Sequence, residues 1–174
     1  GRIYFTEGKL EQALALFRRV AEIKPSFYAG HLDVAQTCLG LGLTEEADVA
    51  YRRLLEVMPK YLLQNPDDSR ARLIYASKLG RAGRKEDAIR EGTKALAFAP
   101  GDPHMLYNAA CMYASLGESS RAIDTLRQAV EAGYTNVGWM QNDPDLIPLR
   151  DEPAYVDLLG VMRSRPAAAP ADQH

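Results

Sequence analysis

The sequence predicts an all-α fold made of stacked antiparallel helix pairs, and three observations support this prediction. First, alanine and glycine positions repeat at an interval of 34 residues, so that Ala76 and Gly83 recur as Ala110 and Gly117. Second, apolar residues within each repeat lie three or four apart, which is the spacing of one helix face. Third, a glycine separates two such segments in every repeat and permits the left-handed conformation that ends a helix. A period of this length is typical of arrays in which each unit stacks on the next.

Four units follow one another along residues 1–134. They are predicted to span 1–27, 28–61, 69–102 and 103–134. Their turns are predicted at Gly8, Gly42, Gly83 and Gly117. The first unit is partial, because Gly1 matches a position in the middle of its opening helix. Alanines stand on the faces to be buried because small side chains let paired helices approach closely while large neighbours fill the grooves.

The second and third units are separated by more residues than the repeat requires. Pro59 and Pro100 hold equivalent positions but lie 41 residues apart, which is seven more than one period. An apolar stripe continues through Pro59 to Leu62, and this favours an extended, kinked helix within 55–68. The alternative is a stop at Pro59 followed by one short extra helix, since proline costs ~3 kcal/mol inside a helix. In both versions residues 66–69 form a turn and cap the next helix.

The residues after the last repeat are predicted to cover its open face, as an array of helices requires. This capping segment is 135–163, and Asp151 is placed to cap its final helix. The apolar stripe of that helix consists of Tyr155, Leu158, Leu159 and Met162. Trp139 and Met140 are expected to anchor the segment on the fourth unit. The remainder, 164–174, has low complexity and is predicted to be disordered.

Composition argues against several classes of partner. The chain has 21 Lys+Arg and 23 Asp+Glu, a formal net charge of -2, so it lacks the basic footprint of a nucleic-acid-binding protein. No apolar run reaches the ~18 residues that span a bilayer, so membrane insertion is not expected. The only two cysteines, Cys38 and Cys111, do not form a disulfide framework. A reducing compartment follows, and a cytoplasmic location is expected.

No catalytic, cofactor-binding or metal site is predicted. The sequence has no glycine-rich phosphate loop, no Ser/His/Asp arrangement and no Cys-x-x-Cys pair. Two His–Cys pairs occur, His31 with Cys38 and His104 with Cys111. Each pair is seven residues apart, a helical rise of ~10.5 Å, which is too far for both side chains to hold one ion. The segment Asp143-Pro144-Asp145 lacks the rest of a calcium loop and is expected to form a turn. The chain is therefore expected not to be an enzyme.

These features together resemble the tetratricopeptide repeat, a 34-residue helix–turn–helix unit. The fourth unit carries its pattern of small and large residues at Ala110, Tyr113, Gly117, Ala122, Leu126 and Ala129. The resemblance covers residues 1–134 and implies a right-handed α-solenoid. Three positions depart from the pattern. Gly92 replaces a large residue, which predicts a looser helix pair in the third unit, Arg72 replaces an apolar one, and Tyr134 replaces a proline.

The resemblance also implies a concave groove, lined by the first helix of each pair, that binds a peptide or a partner domain. The matching positions are Leu32, Asp33, Gln36, Arg70, Leu73, Ser77, Arg81, His104, Tyr107, Asn108 and Cys111. Their arginines, amides and aromatic ring suit an extended peptide or an acidic segment. The opposing interpretation is that they are solvated residues of the first helices.

A second functional hypothesis comes from the two ends of the chain. The stretch "DPDLIPLRDEPAY" resembles the C-terminal end of repeat regions appended to bacterial signalling proteins, including serine/threonine kinases, nucleotide cyclases and transcriptional regulators. At the other end, the incomplete first unit is expected to leave apolar surface open, through which the chain could form a homo-oligomer. The chain would then be a self-association, spacer or regulatory segment of a larger protein.

Overall fold

The computed structural model describes residues 1–164, and within that range all regular secondary structure is helical, as the repeat pattern predicts. The α-helices, numbered in chain order, are α1 (Arg2–Thr6), α2 (Leu10–Ile23), α3 (Tyr28–Gly40), α4 (Thr44–Gln64), α5 (Ser69–Arg81), α6 (Lys85–Phe98), α7 (Pro103–Ser115), α8 (Ser119–Glu131), α9 (Val137–Asn142) and α10 (Pro153–Ser164). A 3-10 helix spans Pro144–Leu149. The predicted tail 164–174 lies outside the described residues, apart from Ser164. The helices form two compact units, residues 1–71 and the described residues from Arg72 onward.

All four predicted turn glycines adopt the left-handed conformation. Their φ angles lie between 73° and 76°. The residue after each glycine donates its backbone N–H to a carbonyl five residues earlier, as Glu118 does to Tyr113 at 2.9 Å. This is the Schellman closure, which needs a positive φ at the glycine and turns the chain back on itself. The shared closure explains why each turn joins two helices over so few residues.

Alanines are buried where helices pack together, as predicted. Eleven alanines are completely buried: Ala13, Ala35, Ala47, Ala71, Ala76, Ala88, Ala95, Ala109, Ala110, Ala122 and Ala129. Gly30 plays the same part between α2 and α3, where an added Cβ would lie 3.3 Å from Val20 Cγ1. Side chains this small bring neighbouring helix backbones together and leave the larger residues to fill the space beside them.

Helix α4 continues through Pro59 and ends at Gln64, so the alternative of a stop at Pro59 does not hold. Met58 and Leu62 are buried on either side of the proline. Tyr61 packs against Tyr28, with ring centroids 4.7 Å apart, and donates a hydrogen bond to Asp68 at 2.8 Å. These contacts offset the ~3 kcal/mol that an interior proline costs. The other oxygen of Asp68 accepts from the backbone N–H of Ala71 and caps α5.

The space left by Gly92 is filled, contrary to the expectation of a looser third pair. An added Cβ at Gly92 would lie 2.5 Å from Cε of Met112, so the methionine of α7 occupies the place of the missing side chain. The expectation considered only the two helices of one pair, whereas an unbranched methionine reaches the gap from the next pair.

The second departure, Arg72, is buried as one half of an ion pair. Its guanidinium donates to the Glu91 carboxylate at 2.7 Å, and it also lies over the ring of Phe98. Lys94 donates to the other oxygen of Glu91 at 2.9 Å. Burial by itself would raise the pKa of Glu91, but the bonds from Lys94 and Arg72 outweigh it and hold that pKa below its ordinary value. A charge therefore replaces an apolar contact between α5 and α6.

The final helix buries the predicted stripe of Tyr155, Leu158, Leu159 and Met162. It begins at Pro153, two residues after the predicted cap Asp151. Proline suits the first position of a helix because its missing N–H has no intrahelical partner there. Tyr155 donates its hydroxyl to the backbone carbonyl of Met140 at 2.7 Å, which joins α10 to α9.

Candidate functional site

The predicted groove positions of residues 1–71 are accessible on first helices. Asp33 on α3 is partly exposed and lies 3.9 Å from the guanidinium of Arg2. Burial raises the pKa of its carboxyl, while the charge of Arg2 acts in the opposite direction. Gln36 lies one turn further along α3 and is exposed. Arg70, in the first turn of α5, is also exposed, so this unit offers one amide and one cation to a ligand.

Four predicted positions in the second unit are also at least partly accessible. Arg81 ends α5 and is exposed, while Ser77, one turn earlier, is half-buried and donates its hydroxyl to the carbonyl of Leu73. His104 and Asn108 are exposed one turn apart on α7. The ring of His104 meets Tyr134 edge-on, with centroids 5.8 Å apart. This face therefore carries a cation, an imidazole and an amide.

The structure contradicts the assignment of three predicted groove residues to an open surface. Leu73, Tyr107 and Cys111 are 5%, 4% and 7% exposed, and all three belong to the hydrophobic core of the second unit. The capping segment contributes to this core, and its 3-10 helix Pro144–Leu149 packs against α7. Met140, Leu146 and Leu149 of the segment are completely buried there. Leu73, Tyr107 and Cys111 are thus core residues.

Tyr107 joins the repeat to the capping segment through a buried hydrogen bond. Its hydroxyl donates to Oδ2 of Asp143 at 2.6 Å, and its ring stacks on Tyr134 with centroids 4.3 Å apart and planes 3° from parallel. Burial and the bond to Asp143 raise the pKa of the Tyr107 hydroxyl far above its ordinary value. Tyr134, which replaces the usual proline, is therefore a stacking partner in the joint.

Cys111, Asp143 and Asp145 form a group whose ligand atoms lie within 4.8 Å of one another. The Cys111 thiol lies 3.8 Å from Oδ2 of Asp143, as a weak donor. Oδ1 of Asp143 accepts the backbone N–H of Asp145 at 2.9 Å and caps the 3-10 helix. Both oxygens of Asp143 therefore already have protein donors. Burial and the charge of Asp143 raise the pKa of the Cys111 thiol strongly, which keeps it protonated. The group acts as a structural joint in this arrangement.

Asp145 of this joint interacts electrostatically with Lys78 of α5. Burial and the neighbouring Arg81 lower the pKa of Lys78, whereas Asp145 raises it. Burial and Asp143 in turn raise the pKa of Asp145, and Lys78 opposes them. The exposed carboxylate of Asp145 thus interacts with Lys78 of α5, which lies one turn before the predicted groove residue Arg81.

The sequence does not predict this joint, whose central residue is Asp143. An aspartate directly before a proline is typical of a helix start, and this was the signal available for its capping role. Nothing local links it to Tyr107, which is 36 residues away. The expected anchor Trp139 is 59% exposed, and Met140 alone of that pair is buried. The indole is on the outer side of α9, whereas the side chain of Met140, one position on, lies in the core of the second unit.

Comparison with known proteins gives one matching family model and several solved structures of similar fold. The family model of the tetratricopeptide repeat matches residues 1–27 and 103–132. Cellulose synthase operon protein C of Pseudomonas fluorescens (strain SBW25) is 33% identical over 79 residues, which is 45% of this chain but only 6% of that protein. The solved structure "MamA RS-1 ArsTM double mutant" has a TM-score of 0.55 at 16% identity, over 94% of this chain and 90% of that one. "MamA MSR-1 C2" has a TM-score of 0.51 at 19% identity, over 74% and 70%.

The match to solved structures concerns the fold, since the sequence identities are below 20%. Within residues 1–164, no helix combines the length and the apolar character needed to cross a bilayer.

Proposed function

Since this chain carries tetratricopeptide repeats, we propose that it is a non-catalytic protein-interaction module that binds a peptide or a partner domain along its first helices. The observation that carries this proposal is the set of accessible polar side chains at the predicted groove positions. They are Gln36, Arg70, Arg81, His104 and Asn108, all exposed on first helices. Helix pairs bury their small residues against each other, and these polar side chains remain exposed on the first helices. Two arginines among them favour an acidic, extended ligand.

Variants of exposed residues test the proposal without disturbing the core. Arg70→Glu and Asn108→Ala each change one accessible side chain, whereas Tyr107→Ala would unfold part of the second unit. Arg52→Glu is the matched control, because Arg52 is an exposed arginine on a second helix of the same compact unit as Arg70. The probe is an array of fluorescein-labelled dodecapeptides rich in Asp or Glu, with Lys-substituted versions of the same peptides. Binding is measured by fluorescence anisotropy.

We expect the acidic peptides to bind the wild type and the Arg52→Glu variant equally. Arg70→Glu should weaken that binding about tenfold, since reversal replaces attraction with repulsion. If both groove variants bind the acidic peptides as tightly as the wild type does, the first helices are not the binding surface. Tighter binding of the Lys-substituted peptides would reverse the predicted ligand charge.

A second candidate function is self-association, with the chain as a segment of a larger bacterial signalling protein. It is favoured by exposed apolar side chains on α1 and α2. Ile3 and Ile23 are 72% and 75% exposed, and Leu16 and Val20 are each at least 40% exposed. Apolar residues on adjoining helices are typical of a surface that another chain covers. Light scattering over a wide concentration range tests this function, with Ile3→Glu/Ile23→Lys as the variant. A rise in mass that the variant abolishes supports it, and a constant monomer mass counts against it.

A further inference from the structure

The first compact unit contains a cavity on the side of α3 that faces away from the predicted groove. Its volume is about 350 Å³, which is within the size range of ligand clefts. Helix α3 contributes His31 and Val34 to its lining. Residues two apart on an α-helix are rotated by about 200°. His31 and Val34 therefore lie opposite Asp33 and Gln36, so the cavity is a surface separate from the groove.

The floor of the cavity is apolar and fixed in place. Ala21 of α2, Val34 of α3, and Val49 and Ala50 of α4 all line it. His31 is held there by its Nε2–H, which donates to the backbone carbonyl of Pro25 at 2.7 Å. Three helices that are packed through buried alanines thus hold the cavity open without a side chain to fill it.

The charged residues of the lining are two arginines and two glutamates, and three of these four belong to ion pairs. Arg18 of α2 pairs with Glu46 of α4, and both residues line the cavity. Arg53 pairs with Glu56 on its own helix at 2.8 Å. Glu22 is the remaining charged residue of the lining, and within residues 1–164 it has no ion-pair partner. An apolar floor next to an unpaired carboxylate is complementary to an alkyl chain that ends in a cation.

We propose that this cavity binds a short segment of a partner protein that carries a lysine beside large apolar residues. The apolar side chains and the methylene stem of the lysine cover Ala21, Val34, Val49 and Ala50, and the ammonium group reaches Glu22. The site is independent of the proposed groove, so the two can fail separately. Its ligand is also of the opposite charge to the acidic peptide that suits Arg70 and Arg81.

The test compares three capped tripeptides as probes, acetyl-Leu-Lys-Leu-amide, acetyl-Leu-Glu-Leu-amide and acetyl-Leu-norleucine-Leu-amide. Each is titrated into the 15N-labelled chain and followed by NMR. Glu22→Lys is the informative variant, because Glu22 is exposed and its replacement leaves the fold intact. Glu131→Lys is the control. Glu131 also lies in the last turn of a second helix and is exposed, so both variants change the net charge and the helix end alike.

We expect the lysine peptide to shift the amide signals of Ala21, Val34, Val49 and Ala50. Its binding should be about fivefold weaker to Glu22→Lys, in keeping with the size of an exposed ion pair, and unchanged in Glu131→Lys. The norleucine and glutamate peptides should bind at least about fivefold more weakly than the lysine peptide. The proposal is overturned if the shifts map elsewhere, if Glu22→Lys binds as the wild type does, or if norleucine replaces lysine without loss.

Discussion

The bond between Tyr107 and Asp143 gives a sharp test of how the capping segment is held. Tyr107→Phe removes one hydroxyl, which donates to Asp143 at 2.6 Å between two buried side chains. A hydrogen bond to a charged group contributes about 1.5–3 kcal/mol, and its loss leaves a buried carboxylate oxygen with only the weak thiol donor of Cys111. The ring and its stacking on Tyr134 remain. We therefore expect the free energy of unfolding to fall by about 2 kcal/mol.

Tyr113→Phe is the matched control, because Tyr113 lies on the same helix and is equally buried. Its hydroxyl is 3.4 Å from the neutral hydroxyl of Thr93, which is a weak contact. We expect a loss below about 1 kcal/mol for this variant. Urea unfolding monitored by circular dichroism gives both values, and hydrogen exchange should accelerate in residues 137–149 of Tyr107→Phe alone. Equal losses in the two variants, or unchanged exchange in that segment, would refute the assigned role of Asp143.

Two further predictions concern buried groups. Glu91→Gln should lower the free energy of unfolding by about 3 kcal/mol at neutral pH, because it leaves the buried Arg72 without its counter-charge. Since the folded-state pKa of Glu91 is lowered, this stabilisation is present above its ordinary pKa and is lost as the pH falls through the folded-state value. A urea-derived difference that grows on acidification would contradict this account. Cys38 and Cys111 should both resist dithiobis(nitrobenzoate) in the folded protein and react in urea, because burial raises the pKa of each thiol. Rapid labelling without denaturant would be inconsistent with their positions.

Features set by residues close together in the chain could be predicted. The glycine turns follow from a positive φ that only one residue type adopts freely, and their periodic recurrence makes them visible. The stripe of α10 follows from helical spacing, and the passage through Pro59 from a stripe that does not stop there. Each of these is decided within one or two helical turns.

Features that depend on contacts between residues far apart in the sequence could not be predicted. Met112 fills the gap over Gly92 from a different helix pair, and Asp143 meets Tyr107 across 36 residues. Trp139 and Met140 are adjacent and both apolar, so composition gave no means of deciding which one would be buried. Which of the two is buried depends on how α9 packs against the 3-10 helix and α10, and no local pattern encodes that packing.

The buried state of Tyr107 and Cys111 has a consequence for where binding should be sought in such an array. A polar residue on the face of a first helix can serve a ligand or the next segment of the same chain. In the last repeat the next segment is the cap, whose Asp143 supplies the acceptor that both Tyr107 and Cys111 use. Away from the cap, a polar position of a first helix can stay open to a ligand. Gln36 of α3 is such a position, and it is exposed. Binding residues should therefore be concentrated on interior first helices, and the terminal repeat should contribute only His104 and Asn108, which the cap leaves exposed.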